Sequence, residues 1–254
     1  MSTANTIILQ LCGVSLRYGD ASPVLHDIDL GLEAGGFYFL RGPTGAGKTS
    51  LLRLLSLSLP PTSGSMRLFG HDIATLERAA LASLRQRIGV VFQDFRLLEH
   101  LSAFDNVALP LRINGADEAE TARFVADMLG WLGLGDKLEA LPADLSMGQR
   151  QMLCIARAVV GKPRLLLADE PTSNIDSKNA ERLMNLFIQL HKLGTTVVLA
   201  THSTTLMDRY PFPLLEMRAG RLRAARRGPA PTVAAAASDA ASDAARDPRE
   251  TSGD

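Results

Sequence analysis

The sequence predicts an α/β fold in which an all-helical block interrupts an alternation of strands and helices. Three observations predict it. Short apolar runs with strand character recur at 37–41, 88–92, 164–169 and 195–200. Helical patterns follow several of these runs at the spacing of strand–helix units. Between residues 94 and 160 strand character disappears and only helical spacing remains.

The elements follow in order. Residues 7–17 read as a strand ending in the turn-like Tyr18, Gly19 and Asp20. Residues 24–32 give a second strand, with Leu25, Ile28, Leu30 and Leu32 facing inward. The run 37–41 delivers the chain into a glycine-rich loop. A leucine-rich helix over 50–59 is stopped by Pro60 and Pro61. A short strand over 65–69 turns at Gly70, and 76–87 is a helix before the buried strand 88–92. Within the block, helices are expected at 98–109, 117–132 and 148–160. Phe124, Val125, Met128, Leu129 and Leu132 form one apolar stripe, read as core. A fully buried strand at 164–169, a helix at 176–193 and strands at 195–200 and 214–217 complete the pattern. Residues 1–222 therefore read as one unit. The Ala-, Pro- and Asp-rich stretch 223–254 lacks large apolar residues and is expected to be a disordered tail.

Composition narrows the function. Lys and Arg number 27, as do Asp and Glu, so overall charge gives no reason to expect nucleic acid or anionic lipid as the main partner. Cys12 and Cys154 have no metal-type spacing. They are expected to be reduced, buried small hydrophobes, which points to the cytosol. The N-terminus has no basic stretch ahead of an apolar run, so no secretory signal is expected. No stretch approaches the roughly 18 apolar residues of a spanning helix.

The chemistry begins with Gly42, Pro43, Thr44, Gly45, Ala46, Gly47, Lys48, Thr49 and Ser50. This is the pattern GxxxxGK[ST] between an apolar strand and a helix. Its glycines let backbone N–H groups turn around phosphates, at which the helix points its positive end. Lys48 can reach the outer phosphates and the Thr49 hydroxyl can ligate Mg²⁺. A second half-site lies at the end of the strand 164–169. Asp169 there would hold Mg²⁺ through water, and Glu170 would polarise an attacking water. Four apolar residues before them bury the strand and place both acids at the carboxyl edge of the sheet, where ligands sit. A nucleoside triphosphate and Mg²⁺ are the expected ligands.

With these residues in view, the sequence resembles the ATP-binding-cassette (ABC) ATPases across almost all of 7–220. Tyr18 stands where that family stacks a ring on adenine. Gln93 matches the glutamine that senses Mg²⁺ and the membrane partner. Leu145, Ser146, Met147, Gly148, Gln149, Arg150 and Gln151 look like the family signature. His202, within Ala200, Thr201, His202 and Ser203, matches the histidine that contacts the γ-phosphate. The resemblance implies a phosphate-loop core of ABC type, with an antiparallel β subdomain and the inserted helical subdomain at about 94–160. It also implies hydrolysis of ATP by a head-to-tail homodimer, with Glu170, His202 and Gln93 in catalysis. Ser146, Gly148 and Gln149 would then face the nucleotide held by the other chain. Ser146 and Gln149 also form an S-x-x-Q capping box that opens a helix, itself an anion site. Met147 departs from the pattern, because the family has glycine there. A side chain at that position is expected either to slow turnover or to point away from phosphate.

Finer resemblance is to the cell-division branch of the family. It rests on residues 92–98, on 105–111, and on 155–160 with 166–172 and 174–176. That branch implies an FtsX-like integral membrane permease as partner, contact with division-ring proteins, and a peripheral place on the cytoplasmic face of the inner membrane. Phe95, Leu97, Leu98 and Leu101 are the expected permease-facing residues. Two alternatives stay open: the ATPase of a lipoprotein-release or macrolide-export system, and an ATP-dependent division-ring scaffold with incidental hydrolysis. A DNA-repair cassette is disfavoured by the lack of a long coiled-coil insertion and of a basic stripe.

Overall fold

The computed structural model describes residues 6–226. Two sheets organise the chain. The first is antiparallel, in the order β2-β1-β4-β5, from β1 (Ile7–Leu16), β2 (Leu25–Glu33), β4 (Ser63–Leu68) and β5 (His71–Asp72). The second has the order β10-β9-β3-β8-β7-β6. Its members are β3 (Phe37–Arg41), β6 (Ile88–Val91), β7 (Leu165–Asp169), β8 (Thr196–Ala200), β9 (Leu214–Arg218) and β10 (Arg221–Arg226). All its neighbouring strands run parallel except β10, which pairs antiparallel with β9.

Alternation along the central strands explains why this sheet is covered on both faces. Phe37 and Phe39 of β3, Leu166 and Ala168 of β7, and Val197 and Leu199 of β8 enter one core. Tyr38 and Leu40, Leu165 and Leu167, and Val198 and Ala200 enter the other. A parallel sheet buried on both faces reads in sequence as continuous apolar runs, which is why these strands were legible. The first core is shared with the helical block, α3 (Ala103–Ile113), α4 (Glu118–Trp131) and α5 (Met147–Val159). The second is shared with the antiparallel sheet and with α1 (Lys48–Leu55). The helices α2 (Arg78–Arg85), α6 (Ser177–Lys192) and α7 (Thr204–Arg209) complete the described set.

The expected inward set of β2 is buried throughout, and Val125, Leu129 and Leu132 of the helical stripe are buried with Phe124 and Met128 packed alongside. Four expectations are corrected. The first helix of the block begins at Ala103 rather than 98, because buried Asn106 ties the backbone of Leu98 and Leu101 into a turn and Ser102 caps the helix. Cys12 is exposed while Cys154 is buried: β1 has one wet face, and Cys12 falls on it. Leu97 is buried in the core and Phe95 packs against it, so these two do not form a free permease-facing surface. The last strand, β10, runs to Arg226, past the expected boundary at 222, because its backbone pairs with β9 regardless of side chain. The rest of the expected tail lies outside the described residues. Among those described, no helix is long and apolar enough to cross a membrane.

Candidate active site

The strand order places the chemistry. In the run β3-β8-β7-β6, four parallel strands end at the same edge. The glycine loop follows β3, Thr201 and His202 follow β8, Asp169 and Glu170 close β7, and Gln93 follows β6. Residues separated by more than 150 positions thus meet in one cleft of about 370 Å³, lined by Thr44, Gly45, Gly47, Lys48, Thr49 and Ser50 and by Gln93, Asp169, Glu170 and His202.

Backbone hydrogen bonds and the Lys48 side chain hold the loop in shape. Ala46 N–H donates to the Pro43 carbonyl (3.1 Å), and the Ala46 carbonyl accepts from Gly220 N–H (3.1 Å), which ties the loop to the β9–β10 turn. A Cβ on Gly42 would meet the Met217 carbonyl oxygen at 2.4 Å, so no other residue fits there. Gly47 adopts φ +101 and is the N-cap of α1. That helix start has no side-chain cap and no acid in its first turn, so its orphan N–H groups and positive end face the cleft uncompensated. Lys48 Nζ donates to the carbonyls of Gly42 (2.7 Å) and Pro43 (3.2 Å), which holds the ammonium over the loop.

Opposite the loop, the Thr49 hydroxyl donates to Asp169 Oδ2 at 2.6 Å. Asp169 is 4% exposed, and burial is the main cause that raises its pKa; the Thr49 hydrogen bond opposes the shift. Glu170 has φ +49, in the left-handed region, and its N–H donates to the Ala200 carbonyl at 2.9 Å. Strain of this kind in a non-glycine residue persists where the surroundings impose it, and here it turns the carboxylate towards the cleft edge. His202 Nδ1 lies 2.9 Å from Glu170 Oε1, linking β8 to β7 through their side chains.

Tyr18 stands beside this cleft: its hydroxyl donates to Ser50 Oγ at 3.1 Å. Ser146, Gly148 and Gln149 are not among the residues lining the cleft. They open α5, where Ser146 Oγ accepts from Gln149 N–H (3.2 Å) and Gln149 Oε1 accepts from Ser146 N–H (2.9 Å), the reciprocal box expected from sequence. Gly148 lies against the loop after β7, where an added Cβ would stand 3.4 Å from the Asn174 carbonyl oxygen. Met147 is 61% exposed. Two cleft residues were missed in sequence. Ser173, whose hydroxyl donates to the Glu170 carbonyl (2.9 Å), lies in the run 171–176, which resembles the family loop after the catalytic glutamate, but nothing in the sequence assigned it a site role. Val24 precedes β2 and carried no signal.

Comparison with known proteins places the chain in a family. The ABC transporter family model fits residues 25–173, more than half of the chain. The chain belongs to the ABC transporter family. This ABC ATPase is 40% identical over 217 residues to the cell division ATP-binding protein FtsE of Mycobacterium tuberculosis, covering 85% of the chain and 94% of that protein. It is 40% identical over 209 residues to FtsE of Escherichia coli K12, covering 82% and 94% respectively. Over 205 residues it is also 40% identical to the uncharacterized ABC transporter ATP-binding protein YknY of Bacillus subtilis, covering 79% and 89%. Among solved structures, a dimeric post-hydrolysis state of the ATP-binding cassette MJ0796 bound to ADP and Pi superposes with a TM-score of 0.80 at 29% identity, covering 86% of this chain and 98% of that one. As an ABC ATPase the chain binds and hydrolyses ATP.

Proposed function

We propose that this ABC ATPase works as a head-to-tail homodimer that drives an FtsX-like integral membrane permease in cell division, from the cytoplasmic face of the inner membrane. The ATPase part of this reading rests on the meeting of Lys48, Thr49, Gln93, Asp169, Glu170 and His202 at one sheet edge, and its division part on the 40% identity to FtsE proteins. The loop amides and the start of α1 bind the phosphates, and Lys48 exchanges its two carbonyl partners for phosphate oxygens. Glu170 acts as general base on the attacking water, and His202, in contact with it, orients the γ-phosphate. Gln93 completes that end of the cleft, and the Tyr18 ring stacks on the base.

Mg²⁺ fits the residues present. The Thr49 hydroxyl and the Asp169 carboxylate are hard oxygen donors already in contact. No group of three or more His, Cys, Asp or Glu side chains able to hold a metal occurs among the described residues. Thr49, Gln93 and, through water, Asp169 would hold the ion, with phosphate oxygens and water supplying the rest, the oxygen-rich surroundings that Mg²⁺ favours. When bound, the ion neutralises charge developing on the phosphates.

Dimerisation is supported by the position of Ser146, Gly148 and Gln149, which have anion-binding character but do not line their own chain's cleft, and by the dimeric state of MJ0796. The permease has a better receptor than the expected surface at residues 95–101. An apolar groove runs between β6 and the C-terminal ends of α3 and α5, lined by Ile88, Val90 and Phe92, the last of them next to Gln93 in sequence, and by Leu109, Pro110 and the exposed Ile113. A cytosolic helix of the permease fits such a groove. In this reading, closure of the ATPase dimer moves the permease, which controls peptidoglycan hydrolases outside the cell together with division-ring proteins.

The equal 40% identity to YknY, an uncharacterized ABC transporter ATP-binding protein, supports one second reading, the ATPase of a transporter without a division role. A lipoprotein-release or macrolide-export system is the form of it that the sequence suggests. A single experiment addresses both. The Glu170→Gln chain, co-expressed with an FtsX-type permease, should form an ATP-dependent dimer, co-purify with that permease and block division. Normal division with retained ATP binding would remove the division reading. Continued monomeric behaviour in ATP would remove the dimer.

A further inference from the structure

We infer that Arg157 is a positioning residue for hydrolysis: it latches the loop after Gln93 onto helix α5 and so fixes where the chain carrying Gln93 leaves the sheet. The inference rests on Gln93 being an active-site residue, as proposed above, but its observations are separate.

Phe95 and Arg96 are consecutive non-glycine residues with φ +56 and +50, both in the left-handed region. Such a pair persists only where neighbours impose it. Arg157, in the last turn of α5, supplies the constraint. Its Nη2 donates to the Phe95 carbonyl at 2.9 Å and its Nη1 to the Arg96 carbonyl at 2.7 Å. One turn earlier on the same helix, Cys154 Sγ donates to the Phe95 carbonyl at 3.2 Å. The planar guanidinium matches two adjacent carbonyls as a single-point ammonium cannot.

The rest of the segment is tied to the helical block as well. Asn106 of α3, fully buried, accepts from Leu98 N–H (2.9 Å) and donates to the Leu98 and Leu101 carbonyls (3.0 and 3.1 Å). On the side towards Gln93 the ties are local: Arg96 pairs with Asp94 and its guanidinium lies 3.9 Å from the centre of the Phe92 ring. The chain leaves the sheet at Val91 and is attached to the block from Phe95 onwards. Only three residues, including Gln93, separate the two attachments. The opposite end of α5 carries Ser146, so one rigid helix holds both the Gln93 loop and the signature residues.

The test uses the full chain with Arg157→Met, Arg157→Lys and Gln93→Ala. With Arg157→Met, amide hydrogen exchange over residues 94–98 should accelerate by at least about tenfold, the scale of a lost charge-assisted hydrogen bond, while β6 and the first turns of α5 keep their rates. ATP affinity without Mg²⁺ should stay within about twofold, while kcat falls about tenfold and the Mg²⁺ concentration for half-maximal rate rises. Arg157→Lys, which can hold one carbonyl at a time, should recover part of both kcat and protection. Unchanged exchange at 94–98 in Arg157→Met would overturn the latch; should that variant not fold, unchanged exchange in Arg157→Lys would do so. If exchange accelerates but kcat does not change, the positioning role falls. If Gln93→Ala itself leaves kcat and Mg²⁺ dependence intact, the assignment of Gln93 fails, while hydrogen exchange still judges the latch.

Discussion

Thr49 and Asp169, 120 positions apart in the chain, share a 2.6 Å hydrogen bond that joins the start of α1 to the end of β7. The bond keeps two oxygen donors together where nucleotide phosphates arrive. It also shows the tension in the site: Asp169 is held in a buried place that disfavours its charge.

That tension gives the first prediction. Asp169→Asn removes a buried charge while retaining an acceptor for Thr49, so the nucleotide-free chain should gain of the order of 1 kcal/mol in stability. Mg²⁺-dependent hydrolysis should be lost together with that gain. Thermal unfolding and a phosphate-release assay measure the two effects, and a less stable variant would contradict the burial argument.

A second prediction concerns the contact between His202 and Glu170. Replacing either His202 by Ala or Glu170 by Gln should lower kcat by about 10² or more, with ATP affinity within a fewfold of the parent. Their combination should cost little more than the worse single change, because the two act on one event. Additive losses would show that they act separately.

Met147 yields the third. Its exposure means that its side chain does not fill this chain's own cleft. In the proposed dimer any crowding would therefore fall on the second chain. Met147→Gly should leave ATP affinity of the isolated chain unchanged, cost no more than about 1 kcal/mol in stability, and raise hydrolysis by the assembled dimer severalfold. An unaltered rate would mean that Met147 lies clear of the partner's phosphate.

The fourth concerns pH. His191 lies edge-on to Phe37 and Phe212, with ring centroids at 5.8 and 5.5 Å, and burial lowers its pKa below the ordinary 6.5. The unfolded chain then binds more protons than the folded one as pH falls below about 6.5. The stability contributed by neutral His191 is thus present above that value and is lost as pH drops through the folded-state pKa. His191→Phe should flatten this part of the profile between pH 7.5 and 5.5. In thermal unfolding the difference is read at about 2–4 °C per kcal/mol. Parallel profiles for the two proteins would exclude His191 as the cause.

Much of this protein was legible in its sequence because the signals were local. The glycine loop announced itself by spacing, since phosphate binding needs consecutive amides and a helix start within a few residues. The strand ending in Asp169 and Glu170 was visible because a doubly covered parallel strand is apolar at every position. The Ser146–Gln149 box was visible because capping is decided within one turn. Where the reading failed, the cause was long-range. Leu97 looked available to a partner, but the core behind α3 takes it. Cys12 looked buried, but the face of β1 on which it falls is wet. The start of α3 was misplaced because Asn106 spends its amide on a turn that no periodicity reports.

By itself, then, the sequence determined the nucleotide loop, the acidic strand end, the helical insertion and the kinship with ABC ATPases, all encoded in short stretches of chain. Only the tertiary structure decided that β8 lies between β3 and β7, which brings His202 to Glu170 and sets Thr49 against Asp169. It alone showed that Arg157 holds the two strained residues after Gln93. Strand order and such side-chain ties depend on which surfaces pack together across the whole chain, and no local pattern of residues records that.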